Sequence, residues 1–200
     1  MRACRDNNEA AVRKLVENGA DVNEVSWYCG DPRDETHYNQ NALYYACRNG
    51  NEKIVKYLVE HGADINHSTN YEETPLSIAC MYEYEKLVHY FLELEPEINK
   101  EAINIACKKD NRTIINYLIE HKKINPLRYA CEMGNLTTVK YLIEQGANVN
   151  QEDRNGNTPL HLCHNKFEIV QYLVEQGANV NKMVKLHYIL PVKMNIMERL

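Results

Sequence analysis

GNTPLHLCHNKFEIVQYLVEQGANVN, residues 156–181, is the stretch whose reading decides the fold. Thr158-Pro159 reads as a helix start, with Thr as cap and Pro at the first helical position, where its missing N–H costs nothing. A short apolar run follows and breaks at His164-Asn165. Ile169-Val170 and Leu173-Val174 then stand one turn apart, a stripe that fits one buried helical face. Gly177 comes where a left-handed C-cap ends such a helix. The stretch therefore predicts two short helices joined by a tight turn.

The same phrase recurs along the chain. It reads MRACRDNNEAAVRKLVENGADVN from Met1, ALYYACRNGNEKIVKYLVEHGADIN from Ala42 and PLSIACMYEYEKLVHYFLELEPEIN from Pro75. It returns as AINIACKKDNRTIINYLIEHKKIN from Ala102 and PLRYACEMGNLTTVKYLIEQGANVN from Pro126. The small residue of the first helix marks each copy: Ala3, Ala46, Ala79, Ala106, Ala130 and Cys163. The intervals are 43, 33, 27, 24 and 33 residues, so a period near thirty-three is stretched once and shortened twice. Six such units make a repeat array the natural reading.

Two hundred residues are enough chain for a real core, in one domain or one continuous array. A net charge of −5 without runs of like sign argues against an electrostatic grip on nucleic acid or an anionic membrane. Seven scattered cysteines, a polar N-terminus and no long apolar run predict a protein of a reducing compartment. Cytoplasmic residence is expected, and the nucleus is compatible with it.

At 156–181 the residues resemble the ankyrin-repeat family almost throughout, and the resemblance extends from Met1 to Lys182. It implies an all-α solenoid, an ankyrin-repeat array with short β-hairpin fingers, in which each unit buries its apolar face against its neighbours. The units expected are 1–23, starting at a first helix, then 24–66, 67–99, 100–125, 126–150 and 151–181, followed by a non-repeat tail, 182–200. Between Asn99 and Ala106, and again between Asn125 and Ala130, no room is left for a finger. Two central repeats lacking the finger are therefore expected. Conversely, EVSWYCGDPRDETHYNQ, residues 24–40, lengthens the first connection by ten residues and carries the single Trp, as a long finger or a loose loop. The sixth unit is two residues short between its helices: Cys163 precedes Ile169 by six residues, whereas Ala79 precedes Leu87 by eight.

Cys4, Cys47, Cys80, Cys107 and Cys131 recur just after the marker alanine. A redox or metal ladder is the bold reading; a small buried residue between helices is the plain one, and we favour it. Equivalent atoms of stacked repeats stand roughly 10 Å apart, too far for a disulfide. Cys29, beside Trp27, is expected to be an accessible thiol with nothing to activate it. His161 and His164 flank Cys163 too closely for a metal site built from two segments. The resemblance instead gives His161 a bond to the backbone of a neighbouring repeat. No phosphate loop, nucleophile elbow, zinc pair or paired-carboxylate signature is present, so neither catalysis nor a cofactor is expected. Tyr57, Tyr90, Tyr117, Tyr141 and Tyr172 form a second column. Without basic residues interleaved, it reads as a packed spine between repeats rather than a stacking platform for bases.

The resemblance implies that partners are met by the finger tips and the end of each first helix. The helix-end pairs are Arg5-Asp6, Arg48-Asn49, Met81-Tyr82, Lys108-Lys109, Glu132-Met133 and Asn165-Lys166. The third unit's finger adds Asn70, Tyr71 and Glu73; the sixth adds Arg154, Asn155 and Asn157. Ordinary solvated surface explains Arg5, Asp6 and Asn165. Met81, Tyr82, Tyr71 and Met133 carry the residue types an interface centre uses. The expected hot spot lies at the third unit, flanked by Lys108 and Lys109.

The expected function is a monomeric, non-catalytic module that holds a protein segment in the concave groove of the array. A structural spacer within a longer chain is the alternative, supported by the fingerless centre. The tail KLHYILPVKMNIMERL, residues 185–200, reads as a degenerate cap, or its LPVKMNIMERL, residues 190–200, resembles a clipped F-box, which would imply a ubiquitin-ligase adaptor or another link to host machinery. Back-translated from Lys182 and read one base earlier, it also spells NGETPLYFACQN, the opening of a further repeat. A frameshifted remnant is the reading we favour.

Overall fold

The computed structural model describes residues 1–25, 39–121, 125–163 and 166–183. Trp27 and Cys29 of the insertion, His164, Asn165 and the tail residues 184–200 lie outside them. The chain divides into two compact units, Met1–His121 and Lys122–Leu200.

The first unit is four helix pairs. They are α1 (Arg2–Arg5) with α2 (Glu9–Glu17), α3 (Ala42–Arg48) with α4 (Glu52–Glu60), α5 (Pro75–Met81) with α6 (Glu85–Glu93), and α7 (Lys100–Lys109) with α8 (Arg112–Glu120). First helices pack in series, α1 on α3, α3 on α5 and α5 on α7, while α2 meets α4 and α6 meets α8. Helices this short are marginal alone in water, so packing holds them. The marker alanines Ala46, Ala79 and Ala106 and the adjoining Cys47, Cys80 and Cys107 have no exposed surface, which lets neighbouring backbones approach closely. Ile54, Leu58, Leu87, Phe91, Ile114 and Leu118 of the second helices are buried, each contributing about 1.5–3 kcal/mol.

Caps mark where the helices begin. Asn8, Asn51 and Asn111 each accept a backbone N–H of the following second helix, and Asn41 and Asn99 do so for α3 and α7. At α5 the cap is reciprocal: Ser77 N–H donates to Thr74 Oγ1 (3.2 Å) and Thr74 N–H to Ser77 Oγ (2.8 Å). The turn inside each pair needs one left-handed residue, supplied by Asn7, Gly50, Glu83 and Asp110. Gly50 has a second reason: a Cβ there would lie 2.6 Å from the Tyr84 ring of the next pair.

The second unit holds α9 (Pro126–Met133), α10 (Leu136–Glu144) and α11 (Phe167–Glu175). The sixth first helix is only a 3-10 turn, Pro159–Leu162, packed on α9. This copy is two residues shorter than the third before Lys166, the N-cap residue of α11. A further 3-10 turn, Val180–Met183, reaches into the segment assigned to the tail.

The fingers differ from hairpins. Among the described residues no extended strand is present; Gln40 alone sits in an isolated bridge. Residues 69–73 and 153–157 are instead tight loops closed by backbone bonds, Thr69 N–H to Glu73 O (3.0 Å) and Asp153 N–H to Asn157 O (2.9 Å). They sit within the connections 61–74 and 145–158, whereas 94–99 alone links α6 to α7 and 121–125 links α8 to α9. The asparagines that end the phrases GADVN (Asn23) and GANVN (Asn150) clip successive copies together. Asn23 Nδ2 donates to Gly62 O and its Oδ1 accepts Asp64 N–H; Asn150 does the same with Gly177 and Asn179.

Candidate partner-binding groove

In the first unit the ends of α1, α3, α5 and α7 carry the helix-end pairs. Arg48 is exposed and stands beside the Tyr82 side chain. Tyr82, 43% exposed, lies nearly parallel to Tyr84 with ring centres 5.8 Å apart. Tyr84 in turn sits over Gly50, its hydroxyl donating to Arg48 O at 3.4 Å. An exposed aromatic is thus braced from two sides. Asn49 differs in kind, because its amide donates to Cys4 O and Arg5 O and closes the end of α1. Lys109 pairs with Glu83 at 3.6 Å, and Lys108 is exposed. Met81 is half-buried, so it has the packing duty that its sequence position alone had not suggested.

The loop at 69–73 supplies the next side chains. Thr69 Oγ1 accepts Tyr71 N–H and Glu73 N–H and donates to Glu73 Oε2, which fixes the loop and restrains the Glu73 carboxylate. Asn70 and Tyr71 project from it, Tyr71 at 56% exposure. Beneath them is a cleft of about 430 Å³, lined by Arg5, Gln40, Tyr44, Tyr45, Arg48, Tyr71 and Glu73. Tyr44 and Tyr45 meet edge to face with ring centres 5.3 Å apart, and the Tyr45 hydroxyl donates to Gln40 Oε1 at 2.7 Å. Burial, reinforced by the charge of Glu73, pushes the Tyr44 hydroxyl up to about 12, so it stays a neutral phenol.

Arg48, from the end of α3, therefore comes together with Tyr71, Glu73 and Tyr82 of the third copy. Gln40, Tyr44 and Tyr45 were missed, and Arg5 was read as plain surface. One signal was available: Tyr44-Tyr45 replaces the smaller Ser77-Ile78 of the next copy.

In the second unit Met133 is 46% exposed and Glu132 half-buried. Lys166 lies over Gly134, where a Cβ would come within 2.9 Å of its Cε, and its ammonium donates to Cys131 O and Glu132 O. It closes α9 as Asn49 closes α1. At the loop tip Arg154 and Asn155 are exposed. Asp153 organises that loop: its Oδ1 accepts Asn155 N–H and Asn157 N–H, both at 2.8 Å, and Oδ2 receives Arg128. The Asn157 and Asn155 backbone bonds, with Asn157 Nδ2 and Arg128 adding to them, hold its carboxyl at about 2.

The other columns also have places. Cys4, Cys47, Cys80, Cys107, Cys131 and Cys163 are all buried and none is in a disulfide. Burial pushes the Cys80 thiol up to about 12; at Cys107 the Asp110 charge adds to burial to reach the same value. Such thiols are poor nucleophiles. His161 bonds Thr158 of its own unit, Nδ1 accepting Thr158 N–H at 3.0 Å, because a histidine three residues after the cap can reach back to it. The tyrosine column does have cations interleaved, contrary to the sequence reading. Arg13 stands 4.4 Å from the centre of Tyr57, Lys56 5.4 Å from Tyr90 and Lys140 5.5 Å from Tyr172, while His89 meets Tyr117 edge-on. The cation comes from the residue just before the tyrosine position of the preceding copy, a relation visible only after stacking.

A family profile described as "Ankyrin repeats (3 copies)" matches residues 1–102 and 103–184. The chain belongs to the ankyrin-repeat family. Among solved structures it is similar to the human ASB11 ankyrin repeat domain, at 27% identity and a TM-score of 0.62, over 90% of this chain and 83% of that one. It is also similar in fold to the ankyrin repeat domain of Bcl-3, described as a unique member of the IkappaB protein family. There the identity is 20% and the TM-score 0.65, over 88% and 85% of the two chains. Among curated proteins no sequence matches. Ankyrin repeat domains are in general non-catalytic modules of protein–protein interaction. Among the described residues, no helix is long and apolar enough to cross a membrane.

Proposed function

We propose that this ankyrin chain is a non-catalytic module that holds a segment of a partner protein against the first-helix ends and the 69–73 loop of its N-terminal unit. One observation carries the reading: Tyr71 and Tyr82 are large, exposed aromatics at 56% and 43%, whereas the unit's other described tyrosines are buried or half-buried. Tyr82 is braced by Tyr84 and Arg48, so little side-chain entropy is lost when a partner covers it. Arg48, Asn70 and Glu73 belong to the same surface, with Met81 behind it and Lys108 and Lys109 beside it. Asn49 supports it from below. Glu132, Met133, Arg154 and Asn155 form a secondary contact region on the other unit. The six repeat boundaries given above belong to the same proposal. So does a reducing compartment, supported by cysteines that are buried and unbridged.

Affinity capture with the full chain and with a Tyr71→Ala/Tyr82→Ala variant tests the reading. A partner retained by the first and lost by the second supports it; equal retention by both contradicts it. The spacer reading is favoured by the short connections 94–99 and 121–125, which remove contact surface. It predicts no partner that depends on these tyrosines.

A further inference from the structure

The cleft beneath Tyr71 has a chemistry of its own. Its volume of about 430 Å³ is within the range of sites that take a ligand group. Two guanidinium groups, Arg5 and Arg48, line it, together with three phenol rings and the Gln40 amide. The opposing charge is Glu73, whose Oε2 already accepts the Thr69 hydroxyl. Asp6 lies 3.7 Å from Arg5, a loose and exposed pair of little energetic weight. Among the described residues no carboxylate pairs with Arg48, which stands beside Tyr82. In a chain of net charge −5 this is a local excess of cationic donors set beside aromatic walls.

We infer that the occupant of this cleft is an acidic protein segment, which sets a carboxylate against Arg48 and Arg5 and an apolar or aromatic side chain against Tyr45 and Tyr71. The inference rests on the groove reading above and specifies its partner. Arginine suits the task because its planar fork meets a carboxylate through two parallel bonds. The rings exclude water around that pair and strengthen it. A basic segment would meet two guanidinium groups here, and a purely apolar one would leave both facing a desolvated wall.

The test is selection of a random-peptide display library on the full chain, followed by anisotropy titration of the selected peptides. The expected result is enrichment of Asp and Glu beside an aromatic residue, with affinity that falls as salt is raised. Arg48→Glu should weaken these peptides by about tenfold or more, and replacing the peptide's acid with Lys should restore binding to that variant. Arg5→Glu gives a second reading of the same charge. Uncharged selected peptides, sensitive to Tyr71→Ala and Tyr82→Ala but indifferent to Arg48→Glu, would overturn the acidic occupant and leave the groove standing. No binder, or binders indifferent to all these variants, would overturn both. Displacement of the peptides by inorganic phosphate or polyphosphate would reduce the cleft to a general anion site and also sink the inference.

Discussion

The guanidinium carbon of Arg13 sits 4.4 Å from the centre of the Tyr57 ring, one helix pair further along the array. That tyrosine also meets His61, with ring centres 4.1 Å apart, while its hydroxyl is buried with no hydrogen-bond partner. Ring and hydroxyl thus pull stability in opposite directions. Tyr57→Phe keeps the ring and removes the orphan group, and should raise the unfolding free energy by about 1 kcal/mol. Tyr57→Leu loses the cation–ring contact and should lower it by about 1 kcal/mol or more. Urea unfolding of both variants checks the pair; a loss with Phe contradicts it.

Glu72 stands at φ 60°, where the matching residue of the second finger, Gly156, stands at φ 76°. A side chain in this left-handed region costs about 1 kcal/mol relative to glycine. Glu72→Gly should therefore raise the thermal midpoint, with a gain reduced by the added freedom of the unfolded chain. A lower midpoint would show that Glu72 contributes more than backbone geometry.

Asn41 takes the capping place that Thr74 and Thr158 hold in other copies. Its Oδ1 accepts Tyr44 N–H at 2.9 Å, but its buried Nδ2 has no partner. Threonine keeps the acceptor and omits the surplus donor, so Asn41→Thr should stabilise by about 1 kcal/mol. Calorimetry would expose the error if the variant melted earlier.

Asp153 predicts a pH dependence. Its carboxyl falls from an ordinary 3.8 to about 2 on folding, because the loop N–H groups bind the charged form. The unfolded chain therefore takes up the proton first. The contribution is complete above 3.8 and is lost as pH falls through about 2. The stability gap between wild type and Asp153→Asn should be widest above that range and shrink on acidification. A constant gap on acidification contradicts the loop's role.

Helix pairs were legible in the sequence because Thr158-Pro159 marks a helix start and the paired aliphatics mark the buried face, whereas the caps Asn51, Asn111 and Asn135 came only with the structure. The consequence of a two-residue deletion was less legible. The short sixth copy was plain, yet nothing in its residues announced that its first helix would be the 3-10 turn Pro159–Leu162. The site was read in part. Tyr71 and Tyr82 stood out by type, whereas Asn49 looked like surface until its amide was seen closing α1. Tyr44 and Tyr45 lie in a helix that reads as core, and only the fold of the 69–73 loop gives them a cleft to line. Arg13 and Tyr57 are more than forty residues apart, so nothing local announces their contact.

Hydrogen exchange on the full chain, with and without the captured partner, tests the central claim most directly. The account predicts added protection over residues 40–49 and 69–84, with the second-helix faces of α4 and α6 unchanged. Protection confined to the second helices, with 69–84 exchanging as in the free chain, would contradict it.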